Sequence, residues 1–190
     1  CLQVSTLVGA LLLVVLHQLG SHGPSYYKRT PEAFKLFLPE CDRDDVQDCD
    51  RQSIINAYDN TIVYTDFLLE RVISFLEARS GRYDTAMLYV SDHGESTGEG
   101  GLYLHGLPYA IAPDRQKKIP MIFWMSEPFA ARTGIRRERL LEQAGARASH
   151  DHLPHTVLGT FGIRTSVYRR DLDLFAPLRG LPLFPPPPPP

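Results

Sequence analysis

An aspartate and a histidine stand side by side at Asp92–His93, and a second histidine, His105, follows twelve residues later. Glycines recur through the segment between the two histidines. Carboxylates and imidazoles are among the ligands that Zn²⁺ takes in catalytic sites. Glycine lets the backbone adopt positive φ angles and approach a ligand closely. The segment therefore predicts a metal-binding loop.

An apolar, β-rich run, AMLYV at residues 86–90, comes directly before this loop. Such a run, followed by polar residues and glycine, predicts a buried strand that ends in a loop. A second loop, GSHGP with His22, follows the apolar run at residues 7–16, which we interpret as another buried, parallel strand. A membrane segment is the alternative for 7–16, although a spanning helix needs about 20 apolar residues.

Ligands of open α/β sheets bind just beyond the carboxyl ends of the strands. If both strands belong to one sheet, Asp92, His93, His22 and His105 are predicted to converge at one edge. The alternative for each histidine taken alone is a surface or structural position. Two glycine-flanked histidine loops at two strand ends favour a shared metal site. Zinc at such a site polarises a phosphoryl oxygen and lowers the pKa of an attacking hydroxyl.

The rest of the chain alternates between helical and strand patterns. Apolar residues recur at helical spacing from about residue 53 to 78, which predicts a long amphipathic helix. IPMIFWM at residues 119–125 predicts a third buried strand, and residues 149–160 predict a helix with a polar cap. This alternation indicates an α/β fold with a mainly parallel sheet.

Composition limits the classes of protein that need to be considered. The chain has 190 residues, 43% of them hydrophobic and 22% charged, which suits one globular domain over residues 1–184. The net charge of −2, without a basic block, argues against a nucleic-acid partner. Residues 185–190 are all proline and are predicted to form an extended, disordered tail. Because the chain begins with cysteine, we expect it to start partway through a longer protein.

Cys41 and Cys49 bracket a polar, acidic loop. They are either two free thiols, ligands of a metal loop, or a local disulfide. A seven-residue gap without a nearby Cys or His pair fits zinc poorly. We favour the disulfide, which indicates an oxidising compartment.

Several stretches, in order along residues 12–178, resemble the phosphoethanolamine transferases that modify lipid A, a group that includes colistin-resistance enzymes. They are HQLGSHGPSYYKRTP (17–31), the loop between Cys41 and Cys49, NAYDNTIVYTD (56–66), YVSDHGESTGEGGLYLHGLPYAIAPD (89–114), IPMIFWMS (119–126) and SHDHLPHTVLG (149–159). The block from Asp92 through YLHGLPYAIAP is the most specific of them.

The resemblance implies the alkaline phosphatase/sulfatase fold, incomplete here at the N-terminus. It implies a zinc-dependent enzyme that moves phosphoethanolamine from phosphatidylethanolamine to a lipid A phosphate through a zinc-activated threonine. It also implies a domain at the periplasmic face of the bacterial inner membrane, tethered by N-terminal helices that this chain lacks. The activity would reduce the negative charge of the outer surface and so cause polymyxin resistance.

The resemblance also implies roles for individual residues. Asp92 and His93 correspond to ligands of the catalytic zinc. His22 and His105 correspond to the pair that contacts the phosphoethanolamine group or a second zinc. Glu95 is assigned to loop structure only.

The resemblance further implies that Cys41 and Cys49 form a family disulfide. The threonine nucleophile of the family has no counterpart in this chain, so we expect the chain alone to be inactive. Two alternatives stay open. One is another hydrolase or transferase of the sulfatase superfamily, and the other is a non-catalytic, metal-binding remnant.

Overall fold

The computed structural model describes residues 12–179. Its helices are α1 (Arg51–Glu77), α2 (Asp114–Lys117), α3 (Glu127–Thr133), α4 (Arg137–Gln143) and α5 (His152–Thr160). Its strands are β1 (Ala86–Val90), β2 (Ser96–Thr97), β3 (Tyr103–Leu104) and β4 (Met121–Met125). Short 3₁₀ turns lie at Tyr26–Lys28, Glu32–Phe34, Val46–Asp48, Glu99–Gly101 and Arg170–Leu172. The described residues divide into two compact units: the first consists of residues 19–132, and the second consists of residues 12–18 and 133–179. The predicted tail at 185–190 lies outside the described residues.

The first unit is organised around α1, and the predicted long helix is confirmed. The helix begins where the Asp50 carboxylate accepts a hydrogen bond from the Ser53 N–H at 3.0 Å, a typical N-cap. Its buried face includes Ile54 and Ala57, which are three residues apart and therefore lie on one side of the helix. This face packs against the loops that precede the helix.

The loop between Cys41 and Cys49 is closed by the predicted disulfide, which is confirmed. Cys41 is buried together with Tyr26, Val46 and the α1 residue Ile54 in one apolar cluster. The disulfide therefore joins a polar loop to the core that also holds the Tyr26 ring.

The strands predicted at 86–90 and 119–125 are confirmed as β1 and β4, but their pairing differs from the expectation. β1 and β4 pair antiparallel, with Ala86 opposite Met125, and β2 and β3 also pair antiparallel. The prediction of a mainly parallel sheet is therefore wrong for the described residues. A parallel pair needs a crossover, usually a helix, whereas only the β2–β3 hairpin and the four-residue α2 separate β1 from β4.

The strand predicted at residues 7–16 is also wrong where it can be compared. Residues 12–16 have no regular structure, and residues 7–11 lie outside the described residues. Within residues 12–179, no helix has the length and apolar character needed to cross a bilayer.

The second unit contains α4 and α5, and the helix predicted from residue 149 begins at His152. Its centre is a buried ion pair in which Arg179 Nη1 lies 2.9 Å from Asp173 Oδ2. Thr156 of α5 accepts a hydrogen bond from the Leu174 N–H at 3.0 Å. These contacts hold the C-terminal segment of the described chain against α5.

Candidate metal centre

Three histidines of the first unit meet at one place. One ring nitrogen from each of His22, His93 and His105 lies within 4.8 Å of the other two, so the three could hold one metal ion. The His93 and His105 rings stack with centroids 3.9 Å apart, and His22 lies edge-on to His105 at 4.8 Å. The predicted convergence of these histidines is therefore present in the structure.

His93 is positioned by the loop that leaves β1. Its Nδ1 lies 3.0 Å from the Gly94 carbonyl oxygen, and the Ser91 hydroxyl donates to the His93 carbonyl at 2.7 Å. Gly94 itself is held by a hydrogen bond from its N–H to the Gln116 carbonyl at 3.1 Å. A Cβ at Gly94 would lie 1.9 Å from the Arg115 carbonyl oxygen, so only glycine allows this approach of two backbones.

His22 is positioned by the loop before α1. Its Nδ1 lies 2.7 Å from the Gly23 carbonyl oxygen. The neighbouring Ser21 hydroxyl receives a hydrogen bond of 2.6 Å from Thr61 in α1. The long helix thus anchors the loop that carries His22, although no strand precedes this loop in the described residues.

His105 follows the short strand β3. Its Nδ1 lies 3.0 Å from Glu95 Oε1, across the β2–β3 hairpin. The preceding residue, Leu104, has φ 62°, an uncommon value for a residue with a side chain. The Gln116 side-chain amide donates to the Leu104 carbonyl at 3.1 Å and so holds this strained backbone in place.

The hydrogen bonds of the three rings suit metal binding. A carbonyl oxygen only accepts hydrogen bonds, so the Nδ1 atoms of His22 and His93 must carry the hydrogen. The Glu95 carboxylate is likewise an acceptor, so Nδ1 of His105 carries the hydrogen as well. In a neutral imidazole with this tautomer, Nε2 keeps its lone pair. Three imidazole nitrogens with free lone pairs match the protein ligands of one class of catalytic zinc site. The donor set therefore fits Zn²⁺.

Asp92 lies at the edge of this group. Its Oδ1 accepts the His93 N–H at 3.0 Å, and its Oδ2 lies 3.8 Å from His93 Nε2. The side chain is 80% exposed. The structure thus places His93 with His22 and His105 and leaves Asp92 beside them. The assignment of Asp92 and His93 as zinc ligands, and of the other two histidines to substrate or a second zinc, stays a prediction.

Glu95 is more deeply involved than the sequence indicated, since we expected it to serve loop structure only. Its side chain is 3% exposed. It receives hydrogen bonds from the Gly23 N–H at 3.0 Å and from the Tyr26 hydroxyl at 3.4 Å, besides its contact with His105. Burial and the neighbouring Glu95 carboxylate raise the pKa of Tyr26, which keeps the phenol a hydrogen-bond donor. The sequence signal for this role was the position of the Glu95 carboxylate in the loop between His93 and His105.

Comparisons with known proteins show the family to which the chain belongs. The sulfatase family model matches residues 12–163. The chain is 44% identical over 170 residues to phosphoethanolamine transferase EptA of Salmonella typhimurium. The matched region covers 89% of this chain and 31% of that protein. It is 48% identical over 127 residues to phosphatidylethanolamine transferase Mcr-1 of Escherichia coli, covering 67% of this chain and 23% of that protein.

The fold is also similar to that of a solved structure. The integral membrane protein lipooligosaccharide phosphoethanolamine transferase A from Neisseria meningitidis matches with a TM-score of 0.82 and 44% identity. The match covers 86% of this chain and 31% of that one. The chain thus spans about a third, or less, of these relatives. The predicted α/β, alkaline phosphatase/sulfatase-like fold class is confirmed, and the chain belongs to the sulfatase family, with a sequence similar to those of phosphoethanolamine transferases.

Proposed function

We propose that this chain is part of a zinc-dependent enzyme that transfers phosphoethanolamine from phosphatidylethanolamine to a phosphate of lipid A. The observation that carries the proposal is the meeting of His22, His93 and His105 beside Asp92, in a chain similar to phosphoethanolamine transferases. The similar proteins are named phosphoethanolamine transferases, and one of them is an integral membrane protein.

The residues of this chain have two tasks in the proposed reaction. Asp92 and His93 hold the metal, and His22 and His105 hold a second metal ion or the phosphoryl oxygens of the substrate. Bound Zn²⁺ would supply a Lewis acid for the phosphoryl oxygen and for the attacking hydroxyl. The loops around Gly94 and Glu95 keep the imidazoles oriented before the substrate arrives, which is the kind of preorganisation that lowers a barrier.

The attacking hydroxyl is proposed to come from a threonine outside these 190 residues, which would carry the phosphoethanolamine group between donor and acceptor. The chain alone should therefore not catalyse the transfer. We also place the complete enzyme at the periplasmic face of the bacterial inner membrane. The disulfide between Cys41 and Cys49 supports an oxidising compartment, and the similarity to an integral membrane protein supports attachment to a membrane.

The test is a chimera in which residues 12–179 replace the matching segment of Salmonella typhimurium EptA. The chimera should release diacylglycerol from a fluorescent phosphatidylethanolamine and add phosphoethanolamine to lipid A, as read by mass spectrometry. Replacing His22, His93 or His105 by alanine should each abolish transfer. Replacing His17, which lies outside the histidine cluster, should leave transfer unchanged. A folded chimera without transfer, but with zinc bound, would favour a non-catalytic metal-binding protein.

A further inference from the structure

We propose that Glu95 is a positioning residue for the candidate metal centre: its buried carboxylate fixes the tautomer of His105 and joins the two loops that carry His22 and His105. The inference rests on the proposed metal-dependent function, since it concerns the orientation of the ligands. It assigns to Glu95 a specific part in the site.

The carboxylate lies between the two loops. Its Oε1 receives the Gly23 N–H and faces His105 Nδ1, each at 3.0 Å, and its Oε2 receives the Tyr26 hydroxyl at 3.4 Å. Gly23 directly follows His22, and its carbonyl oxygen holds the His22 ring at 2.7 Å. One carboxylate therefore connects the backbone beside one candidate ligand to the ring of another.

The burial of Glu95 without a permanent cation is costly. Its side chain is 3% exposed, and among residues 12–179 the ion-pair partner recorded for it is His105. Taking an ionised carboxylate out of water costs several kcal/mol unless hydrogen bonds and opposite charge offset it. Here the offset comes from donors of the two histidine loops. A buried carboxylate at this cost is expected where it must orient the hydrogen-bond donors around it.

His105 depends on Glu95 in a way that the other two histidines do not. His22 and His93 each contact the carbonyl of the residue that follows them. The acceptor of His105 comes from a residue ten positions earlier in the chain. Metal-binding histidines commonly donate their second N–H to a carboxylate, which fixes the ring and leaves the other nitrogen free for the metal.

The experiment uses the full chain and its Glu95→Gln variant, which keeps the size of the side chain. Glutamine offers one acceptor oxygen to three donors, so we expect His105 to lose its single tautomer. Long-range ¹H–¹⁵N correlation spectra of the metal-free protein, recorded well above the ordinary imidazole pKa of about 6.5, report the tautomer of each ring. In the wild type, His105 should carry its hydrogen on Nδ1. In the variant, the signal of His105 should change and that of His93 should remain.

The second measurement is zinc affinity by competition with a chelator. Loss of such a supporting partner typically weakens metal binding about 10- to 100-fold, and we expect an effect of this size in Glu95→Gln. Glu99→Gln is the matched control, since Glu99 lies in the same hairpin but contacts Arg115 and the Thr97 N–H. Its zinc affinity and histidine spectra should match those of the wild type.

Two outcomes would overturn the proposal. One is a wild-type His105 with its hydrogen on Nε2, which can be seen even if the variant fails to fold. The other is a folded Glu95→Gln variant with unchanged tautomer and zinc affinity. The tautomer measurement needs neither substrate nor metal. It can therefore succeed while phosphoethanolamine transfer by the chimera fails, or fail while transfer succeeds, and the two proposals stay distinguishable.

Discussion

Reduction of the Cys41–Cys49 disulfide should destabilise the first unit by an amount that the length of the closed loop sets. The two cysteines are eight positions apart. In the chain-entropy model, a loop of this length restricts the unfolded chain by about 8 cal/mol/K, or about 2.5 kcal/mol at 25 °C. Cys41 is also buried beside Tyr26 and Ile54, so opening the loop should loosen the cluster that supports the Glu95 contact.

The assay is urea unfolding followed by the fluorescence of Trp124, the single tryptophan, which lies in β4 of the same unit as the disulfide. Oxidised and reduced protein should differ by about 2.5 kcal/mol, which is about 70-fold in the unfolding equilibrium. The control is a variant with alanine at both Cys41 and Cys49, whose unfolding should not respond to reductant.

Identical unfolding of the oxidised and reduced wild type would refute this reasoning. So would thiol labelling of all three cysteines in the unfolded, unreduced chain, since the disulfide should leave one reactive thiol.

Three further predictions concern the packing around the site. Gly94→Ala places a Cβ against the Arg115 carbonyl oxygen, so thermal unfolding should show a large loss of stability, whereas Gly81→Ala, with open space around it, should show little. Because burial raises the pKa of Tyr26, its phenol ionises first in the unfolded chain. The contribution of Tyr26 to stability should therefore stay constant below about pH 10 and fall as the pH rises further. The same urea titration on Tyr26→Phe should show a smaller fall, and an equal fall would contradict the assignment. The side chain of Asn60 is fully buried. It accepts a hydrogen bond from the Phe37 N–H and donates one to the Phe37 carbonyl, in the loop that precedes α1. Asn60→Ala leaves these groups unsatisfied and should cost about 2–4 kcal/mol in urea unfolding; a loss below 1 kcal/mol would show that water replaces the amide.

The local pattern of the chain predicted several elements correctly. Apolar spacing predicted α1, and the short β-rich runs predicted β1 and β4, because each pattern depends on which residues share one face of a helix or strand. The two cysteines predicted a disulfide because a short polar loop has little apolar surface to hold it closed. These features depend on residues that are close together in the sequence.

The meeting of the three histidines was predicted for a reason that the structure does not support. We expected two parallel strands to deliver His22 and His93 to one sheet edge. In the described residues, β1 pairs antiparallel with β4, and the loop with His22 is held instead by Thr61 of α1 and by Glu95. Strand direction depends on the path of the chain between strands, which apolar periodicity does not record.

The sequence by itself determined the types of ligand that this protein brings to its site, because imidazole and carboxylate chemistry belongs to the residues themselves. Only the tertiary structure decided how they are arranged. It left Asp92 80% exposed and buried Glu95 among the donors of two distant loops. Burial depends on contacts between segments far apart in the chain, such as the hydrogen bond from the Gly23 N–H to Glu95, which spans 72 positions.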